Sequence, residues 1–302
     1  MSVSDRSSDR VVGDFANHQV KATEGANRGA DDTHPSSSSP RIGTARLRRL
    51  REALSERDLV ILVTLREMHY LTAIQLERLH FAGHASRSAA ARASRRVLRR
   101  LHEQQLVHRL DRRIGGVRAG SASYVYGLSS VGYRCMGTGT RRRAREPSLA
   151  HLDHVLAVAE VVISLTEHTR ENAEVDLQTV IGEPGCWRRF VGSNGASVHL
   201  KPDLRLTVRA GEHELHWFIE IDRGSEHRPV LMRKLLTYVD AWKDGTEQTE
   251  QGVFPRVLWS VPDRERIEVL TTLIEGEPRL PNGMFVITTS ERAAQVLAGG
   301  SA

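Results

Sequence analysis

Three carboxylates, Asp203, Glu220 and Asp222, lie in the most regular β pattern of the chain. The stretches that carry them, 201–209 and 214–222, alternate polar and apolar residues, which is typical of half-buried strands. Carboxylates that share one patch repel each other unless protons or a cation intervene. Oxygen ligands of this kind suit Mg²⁺ or Mn²⁺, and such an ion activates water and polarises a phosphodiester. The pattern therefore predicts a divalent-metal site that acts on phosphodiesters.

The two stretches are predicted to form one β-hairpin, because a short turn at Gly211–Glu212 separates them. Glycine supplies the positive φ that a tight hairpin needs. With the turn centred there, Asp203 falls opposite Glu220, and Leu206 falls opposite Trp217. Directly opposed residues have Cβ atoms about 4.5–5.5 Å apart, so this register brings the acidic groups together. The alternative is that the carboxylates lie at a solvated sheet edge.

A fourth carboxylate, Glu160, lies in the middle of a long helix predicted over His151–His168. The centre of this helix is apolar on every other side, so we expect it to be buried. A buried carboxylate must be paired, protonated or near a metal, and a glutamate bonded to a neighbouring arginine is an equally open alternative. His151 and His154 lie one or two turns away. They could approach the same cleft, with a capping or packing role as the alternative for each.

Upstream of these residues, three helices and two strands are predicted in the order of a winged helix-turn-helix. The first helix begins after an N-cap at Ser55, and Asp58 follows three residues later in the acidic first turn. The remaining helices and strands are predicted over 73–79, 86–104, 106–110 and 123–128.

Arginines recur along the third of these helices at spacings of three and four, which places them on one face. The loop between the two strands is also basic. In a winged helix the third helix enters the major groove, where arginines meet phosphates and guanine edges. The expected DNA contacts are Arg87, Arg92, Arg95, Arg96, Arg99, Arg112, Arg113 and Arg118. The alternative is that this arginine-rich face is merely solvated or packs on a partner.

The composition points in the same direction as the arginines. The 302-residue chain is long enough for two domains, and its net charge of +6 favours a polyanionic partner, although a basic tail alone could produce such a value. We expect a cytoplasmic protein, because no apolar run is long enough for a bilayer and the first residues lack the apolar centre of a secretory leader. Cys135 and Cys186 lack the paired spacing of a zinc site.

The second half of the chain resembles the core of the PD-(D/E)XK nucleases, which has the order helix, three strands, helix, strand. The resemblance implies that Asp203 and Glu220 hold Mg²⁺ or Mn²⁺ and that Glu160 is the acid of the first helix. Asp222 stands where the nuclease pattern has its lysine. Lys234, on the following helix, is the candidate for a migrated lysine. Some nuclease relatives have that arrangement, while others have lost catalysis and only bind DNA.

The whole pattern is similar to the replication-relaxation family, whose members occur on plasmids and mobile elements. The resemblance covers about 55–261. It is carried by Arg57-Asp58, Leu71-Thr72 with Gln75-Leu76, Arg99 to His102 with Leu106-Val107, Tyr124 to Ser129 with Gly132, and Phe218 to Gly224 with Arg233-Lys234 and Tyr238.

These resemblances predict an α+β or α/β protein, with a winged helix-turn-helix followed by a PD-(D/E)XK-like αβββαβ domain. The predicted boundaries are a disordered tail over 1–45, the winged helix over 46–137, a basic linker over 138–148 and a restriction-endonuclease-like domain over 149–302. The family name describes a genetic role and does not specify a reaction.

Two functions follow for such a protein. The first is a DNA-binding protein of a plasmid or mobile element that acts in replication or relaxation, with Mg²⁺-dependent nicking by the second domain. In that case Asp203, Glu220 and Asp222 hold one ion, Glu160 binds the ion or orients water, and Lys234 stabilises the phosphoryl charge. The second is a non-catalytic regulator of replication or transcription whose nuclease-like domain forms a homodimer.

Other activities fit the sequence less well. A relaxase with a tyrosine nucleophile needs a histidine cluster near the tyrosine, and the histidines here are scattered. An NTP-driven motor is not expected, because the chain has no Gly-rich loop followed by Lys-Ser or Lys-Thr. Double-stranded DNA is therefore the expected partner, with replication or conjugation proteins as further candidates.

Overall fold

The computed structural model describes residues 43–114, 123–137, 147–192 and 195–301. The chain divides into two compact units, Met1–Ser148 and Leu149–Ala302, named here the N-terminal and C-terminal units. Each unit combines helices with a β-sheet, so the prediction of an α+β protein is confirmed. Arg118, the basic run 141–143 and nearly all of the predicted tail lie outside the described residues.

The N-terminal unit consists of a helical group and a small antiparallel sheet. Its strands follow the order β1-β3-β2. Its elements are α1 (Thr44–Glu52), α2 (Glu56–Met68), β1 (Tyr70–Thr72), α3 (Ala73–His80), α4 (Arg87–Glu103), β2 (Val107–Ile114), β3 (Ser123–Leu128) and α5 (Ser130–Cys135).

Short polar side chains begin α2, α3 and α4, and the N-cap predicted at Ser55 is one of them. Ser55 and Asp58 form a capping box at the start of α2, in which each side chain accepts from the other residue's backbone N–H. Thr72 and Gln75 do the same for α3. At the start of α4, the hydroxyl of Ser86 accepts a hydrogen bond from the backbone N–H of Ala89. These caps supply acceptors for backbone donors that have no partner within the helix.

The sheet of the N-terminal unit is larger than the sequence predicts. The three-residue strand β1 pairs with β3, with Tyr70 opposite Gly127, and a run this short carries no recognisable alternation. The strand β2 continues past the predicted end at Leu110 to Ile114, because its backbone pairs with Ser123 and its neighbour on β3 after a bulge. The predicted basic loop therefore begins as strand.

The C-terminal unit is built on a five-stranded mixed sheet with the order β10-β9-β8-β7-β4. The pairs β4–β7 and β7–β8 are antiparallel, whereas β8–β9 and β9–β10 are parallel. Its elements are α6 (Leu149–Glu171), β4 (Val175–Gly182), β5 (Arg188–Val191), β6 (Ser197–Leu200), β7 (Leu204–Ala210), β8 (His213–Ile221), α7 (Arg228–Asp244), α8 (Thr246–Gln251), β9 (Arg256–Val261), α9 (Arg264–Glu275), β10 (Phe285–Thr289) and α10 (Ala293–Leu297).

The central hairpin of this sheet has the predicted register. Leu206 pairs with Trp217, and Ala210 pairs with His213 on either side of the two-residue turn. Gly211 in that turn has a φ of 58°, the left-handed conformation that glycine adopts without strain. The predicted turn and pairing are therefore confirmed, and Asp203 lies beside the end of β8.

Helices cover both faces of the sheet. Phe218 on β8 packs with Leu231, Leu235 and Tyr238 of α7 in one buried cluster. Alternate residues of β8 face the other side, and α6 packs against β4, β8 and α10. The insertion before the hairpin, which has no predicted secondary structure, folds into the two-stranded sheet β5–β6.

The helix α6 is long and strongly apolar. Among the described residues, it is the one helix that is long and apolar enough to cross a membrane by length and composition, although no segment of that length is expected from the sequence. Half of its apolar stretch is buried within the protein, and helices in the core of a globular protein often have the same length and apolar composition.

Candidate functional site

A cluster of ionisable side chains lies where β7 begins and β8 ends. Asp203 precedes β7, and its Oδ2 accepts from the backbone N–H of Ile221 at 2.7 Å. Its backbone N–H donates to the carbonyl of Ile219 at 3.0 Å. Its Oδ1 lies 3.0 Å from Nε2 of His154 on α6. These contacts hold the Asp203 carboxylate in one orientation at the end of the sheet.

Glu220 is the buried member of the cluster, with 3% of its surface exposed. Its Oε1 accepts from the hydroxyl of Tyr238 at 2.7 Å, and its Oε2 lies 3.3 Å from Nζ of Lys234. Both partners are on α7, one turn apart, so they reach the same carboxylate from one helix face. Nζ of Lys234 also lies 3.0 Å from Oε1 of Glu226.

The electrostatics of Glu220 follow from its burial. Burial raises the pKa of Glu220 to about 8, and the charge of Asp203 adds to the rise, while Lys234 and Tyr238 oppose it. For Lys234, burial lowers the pKa, but the charges of Glu220 and Glu226 outweigh it and hold the pKa above its usual value. The site therefore combines a permanent cation with a carboxyl group that exchanges its proton near neutral pH.

Asp222 does not join Asp203 and Glu220 as the sequence predicts. Its Oδ2 lies 2.7 Å from Nε of Arg266 on α9, and its Oδ1 accepts from the backbone N–H of Gly224 at 2.7 Å. The side chains of Asp222 and Arg266 are 1% and 13% exposed, so this ion pair is buried. The arginine neutralises the carboxylate that was expected to complete the metal site.

His154 of α6 lies against Asp203, a position that the sequence favoured for Glu160. Six residues of α-helix turn through about 600° and rise about 9 Å, so Glu160 lies on a face about 120° from His154 and farther along α6. His154 is the residue of this helix that meets Asp203, and their hydrogen bond, despite burial, raises the pKa of His154. The approach of His154 to the cleft, left open from the sequence, is therefore observed.

Glu183 extends the cluster towards the β5–β6 insertion. Burial raises its pKa, the bond from Trp187 opposes the rise, and the charge of Asp203 adds to it. Nε1 of Trp187 donates to Oε1 of Glu183 at 3.4 Å. The cluster of Asp203, Glu220, Lys234, His154 and Glu183 is named the acid–base cluster below.

The carboxylates fit a divalent ion only in part. Within the described residues, no three His, Cys, Asp or Glu side chains are grouped so that they could hold a metal ion. Asp203 and Glu220 remain as two neighbouring oxygen donors. Each accepts two hydrogen bonds or ion pairs, whereas a carboxylate offers about four acceptor sites. Oxygen donors of this kind suit Mg²⁺ or Mn²⁺.

A second candidate surface lies on α4 of the N-terminal unit. Leu98 and Leu101 are buried, as predicted, together with Ala90 and Ala93. Five of the predicted arginines are exposed on the helix: Arg87, Arg92, Arg95, Arg96 and Arg99. Around the helix axis Arg92, Arg95, Arg96 and Arg99 fall within an arc of about 100°, which is named the α4 arginine face below, and Arg87 in the first turn lies outside it. Arg100, their neighbour, is different, because its NH2 group lies 2.6 Å from Oδ1 of the buried Asp58.

Two other predicted DNA contacts lie on the strand β2. Arg112 and Arg113 are part of the strand β2, whereas the sequence predicted that they lie in a flexible loop. Arg109, which the sequence did not single out, lies on the same strand with its guanidinium 4.1 Å from the centre of the Tyr124 ring.

Sequence reasoning missed three residues that bear on these carboxylates: Tyr238, Arg266 and Glu183. Tyr238 lies one turn after Lys234, a spacing that indicates a shared helix face but does not identify the contact. Arg266 follows the N-cap Asp263 of α9, and nothing in its local sequence indicates a buried ion pair. Glu183 carries no motif at all.

Comparison with known proteins identifies one family. The model of the family described as replication-relaxation matches residues 62–257. No curated protein and no solved structure gives a significant match to the chain.

Proposed function

The chain belongs to the replication-relaxation family, and from this premise we propose that it binds duplex DNA through the α4 arginine face. Family membership supports a role in the replication of a plasmid or other mobile element. The observation that carries DNA binding is the set of five exposed arginines on one helix of a small helical unit with an adjacent β-hairpin. A basic helix face of this kind is the electrostatic signature of a nucleic-acid-binding protein.

The order of elements in the N-terminal unit supports a winged-helix interpretation. Helices α2, α3 and α4 precede the hairpin β2–β3, and β1 joins the same sheet. In this arrangement α4 is the recognition helix and the hairpin is the wing. Arg109, Arg112 and Arg113 on β2 then contact the backbone beside the groove.

The test is duplex binding by the full chain over a range of salt concentrations. Replacing Arg95 and Arg99 with alanine removes two phosphate contacts, so we expect weaker binding and a plot of log affinity against log salt that is shallower by about 0.9 per contact. Arg279→Ala is the matched control, because Arg279 is an exposed arginine that already pairs with Glu277. Equal salt slopes for all three proteins contradict the proposal.

A second function, cleavage of DNA by the C-terminal unit, is favoured by one observation. Asp203, Glu220 and Lys234 lie together, as in the acid, acid and lysine set of the PD-(D/E)XK nucleases with the lysine on the next helix. Asp203 and Glu220 would hold Mg²⁺ or Mn²⁺, which would supply a Lewis acid and an activated water when bound. Lys234 would stabilise negative charge on the phosphoryl group.

Supercoiled plasmid with Mg²⁺ or Mn²⁺ tests this function. We expect the full chain to nick the plasmid, and we expect Asp203→Asn and Lys234→Met to lose that activity. Asp176→Asn serves as a control, because Asp176 pairs with Arg209 away from the cluster. The same negligible cleavage by all four proteins removes the enzyme proposal and leaves a non-catalytic DNA-binding regulator, for which the Asp222–Arg266 pair is the supporting observation.

A further inference from the structure

A pocket of about 310 Å³ lies beside the acid–base cluster and has no role in the functions above. It is formed by the β5–β6 insertion, α7, α8 and the segment before β9. The side chains that matter for its chemistry are Trp187, Arg188, Arg189, Phe190, Glu247, Glu250 and Phe254. The volume is near the lower end of the range for small-molecule sites.

The pocket has an aromatic and buried floor with a polar rim. Phe190 is 5% exposed, and Phe254 packs edge-on against the core residue Phe218. Arg189 is exposed at the rim, where its Nε donates to Oγ of Ser197 at 2.7 Å. Trp187 is half-buried between the floor and the solvent. An aromatic wall with a cationic rim suits a flat ring that carries an anionic group.

The charges around the pocket are cationic on the side of the β5–β6 insertion, whereas Glu250 on α8 adds an exposed carboxylate to the lining. Glu247 is buried, and two arginines neutralise it, with Nε of Arg188 at 2.6 Å and NH2 of Arg205 at 3.2 Å. Lys201 is exposed, and its Nζ lies 4.6 Å from the centre of the Trp187 ring. Single-stranded nucleic acid binds to surfaces of this composition, with bases stacked on aromatic side chains and the backbone near cations.

The pocket is connected to the acid–base cluster through the insertion. Trp187 donates a hydrogen bond to Glu183. Burial raises the pKa of Glu183, the charge of Asp203 raises it further, and the charge of His154 lowers it. The thiol of Cys186, the residue before Trp187, donates to the carbonyl of Pro202 at 3.0 Å. A nucleotide against Trp187 would therefore lie close to the residues proposed to act on the DNA backbone.

We propose that this pocket holds one unpaired nucleotide of a DNA strand, with its base against Trp187 and its phosphate near Arg189 and Lys201. The inference deepens the proposed action of the C-terminal unit on DNA and rests on it. An unpaired base at this position gives the unit a preference for melted or single-stranded DNA, because a base within a duplex is stacked on its neighbours and does not reach the pocket.

Tryptophan fluorescence gives a direct test. The four tryptophans all lie in the C-terminal unit, and Trp217 and Trp259 are 1% and 0% exposed. In a Trp242→Phe variant of the full chain, Trp187 is the remaining tryptophan that a ligand can reach. An octamer of deoxythymidine should quench the fluorescence of Trp187 in a saturable way, and a duplex octamer should not.

The Arg189→Ala substitution, added to this variant, tests the cationic rim. We expect octamer binding to weaken by about tenfold, because one charge-assisted contact is lost.

Trp187→Leu is measured with a labelled octamer by anisotropy, which does not depend on tryptophan. We expect at least about tenfold weaker binding, since one base–aromatic stack is removed. Three results would each overturn the proposal: no saturable quenching, equal quenching by the duplex, or unchanged octamer affinity in Trp187→Leu.

The other proposed functions are tested by different variants. Replacing Arg95 and Arg99 tests duplex docking, and Asp203→Asn tests cleavage. We expect both variants to keep the quenching, so failure of those functions is distinguishable from failure of the pocket.

Discussion

The α4 arginine face and the buried carboxylates of the C-terminal unit carry their charges in opposite ways. On α4 of the N-terminal unit, Arg95 and Arg99 are exposed, and the apolar side of the helix supplies its packing. In the C-terminal unit, Glu220 and Asp222 are buried, and each has a cationic partner. Exposed charges without a buried partner contribute little to stability and remain available to a ligand. Buried pairs are coupled to folding, because a charge that loses its partner inside the protein costs a large free energy.

This difference predicts where substitutions act. On the α4 arginine face, replacements should change DNA affinity and its salt dependence while stability stays nearly constant. In the acid–base cluster and at Asp222, replacements should change stability and its pH dependence, whether or not the unit cleaves DNA. Four measurements test the contrast.

The largest effect is expected at Asp222. Asp222→Ala leaves the guanidinium of Arg266 buried without its partner, so we expect a loss of about 3–5 kcal/mol in the free energy of unfolding. Urea unfolding followed by tryptophan fluorescence reports on this unit, since all four tryptophans lie in it. The double variant Asp222→Leu with Arg266→Met should recover most of the loss. A loss below about 1 kcal/mol for the single variant contradicts a buried, coupled pair.

The second effect is a dependence of stability on pH that comes from Glu220. Its folded pKa is about 8 against a usual value of 4.5, so the folded chain holds a proton that the unfolded chain releases between these values. Stability must then fall as pH rises from about 4.5 to about 8 and level off above. His154 and Glu183 also have raised pKa values and act in the same sense.

The Glu220→Gln variant isolates this contribution. Urea midpoints at intervals between pH 5 and pH 9 should fall less steeply for the variant than for the parent chain. The slope is the quantity to compare, because the variant also changes the bond to Lys234. Parallel curves would show that Glu220 does not titrate in this range.

The third test uses two neighbouring arginines on α4. Arg100 pairs with Asp58, which is buried at the start of α2, so Arg100→Ala should destabilise the N-terminal unit by about 1–3 kcal/mol. Arg99→Ala should change stability by less than about 0.5 kcal/mol and should weaken DNA binding instead. Hydrogen exchange of the α2 and α4 amides measures the first effect in this unit. Equal protection in both variants is the contrary result.

The smallest effect is expected at the surface pair of Arg48 and Glu52. Their side chains are 78% and 67% exposed, and the two atoms are 3.9 Å apart. Arg48→Ala should therefore change the free energy of unfolding by less than about 0.5 kcal/mol. A larger loss in hydrogen-exchange protection would mean that exposure is a poor guide to the role of a charge in this protein.

Local patterns determined much of the hairpin and the helix ends. Alternation over two stretches and a glycine between them were enough for the register of Leu206 with Trp217, because side chains in a strand repeat every two residues. Ser55 and Asp58 identified the start of α2 because the capping box forms within four residues. The division of α4 into a packing side and an arginine face follows from its helical period.

Only the tertiary structure decided which groups meet at the end of the hairpin. The sequence favoured Glu160 over His154, but the choice depends on how α6 is rotated against the sheet, which packing sets and periodicity does not. Arg266 pairs with Asp222 from a position 44 residues later in the chain. The sequence by itself therefore determined the central hairpin, the cap at Ser55 and the basic face of α4, because each depends on residues close together in the chain. The partners that set the charge of the buried carboxylates come from distant segments brought together by the core.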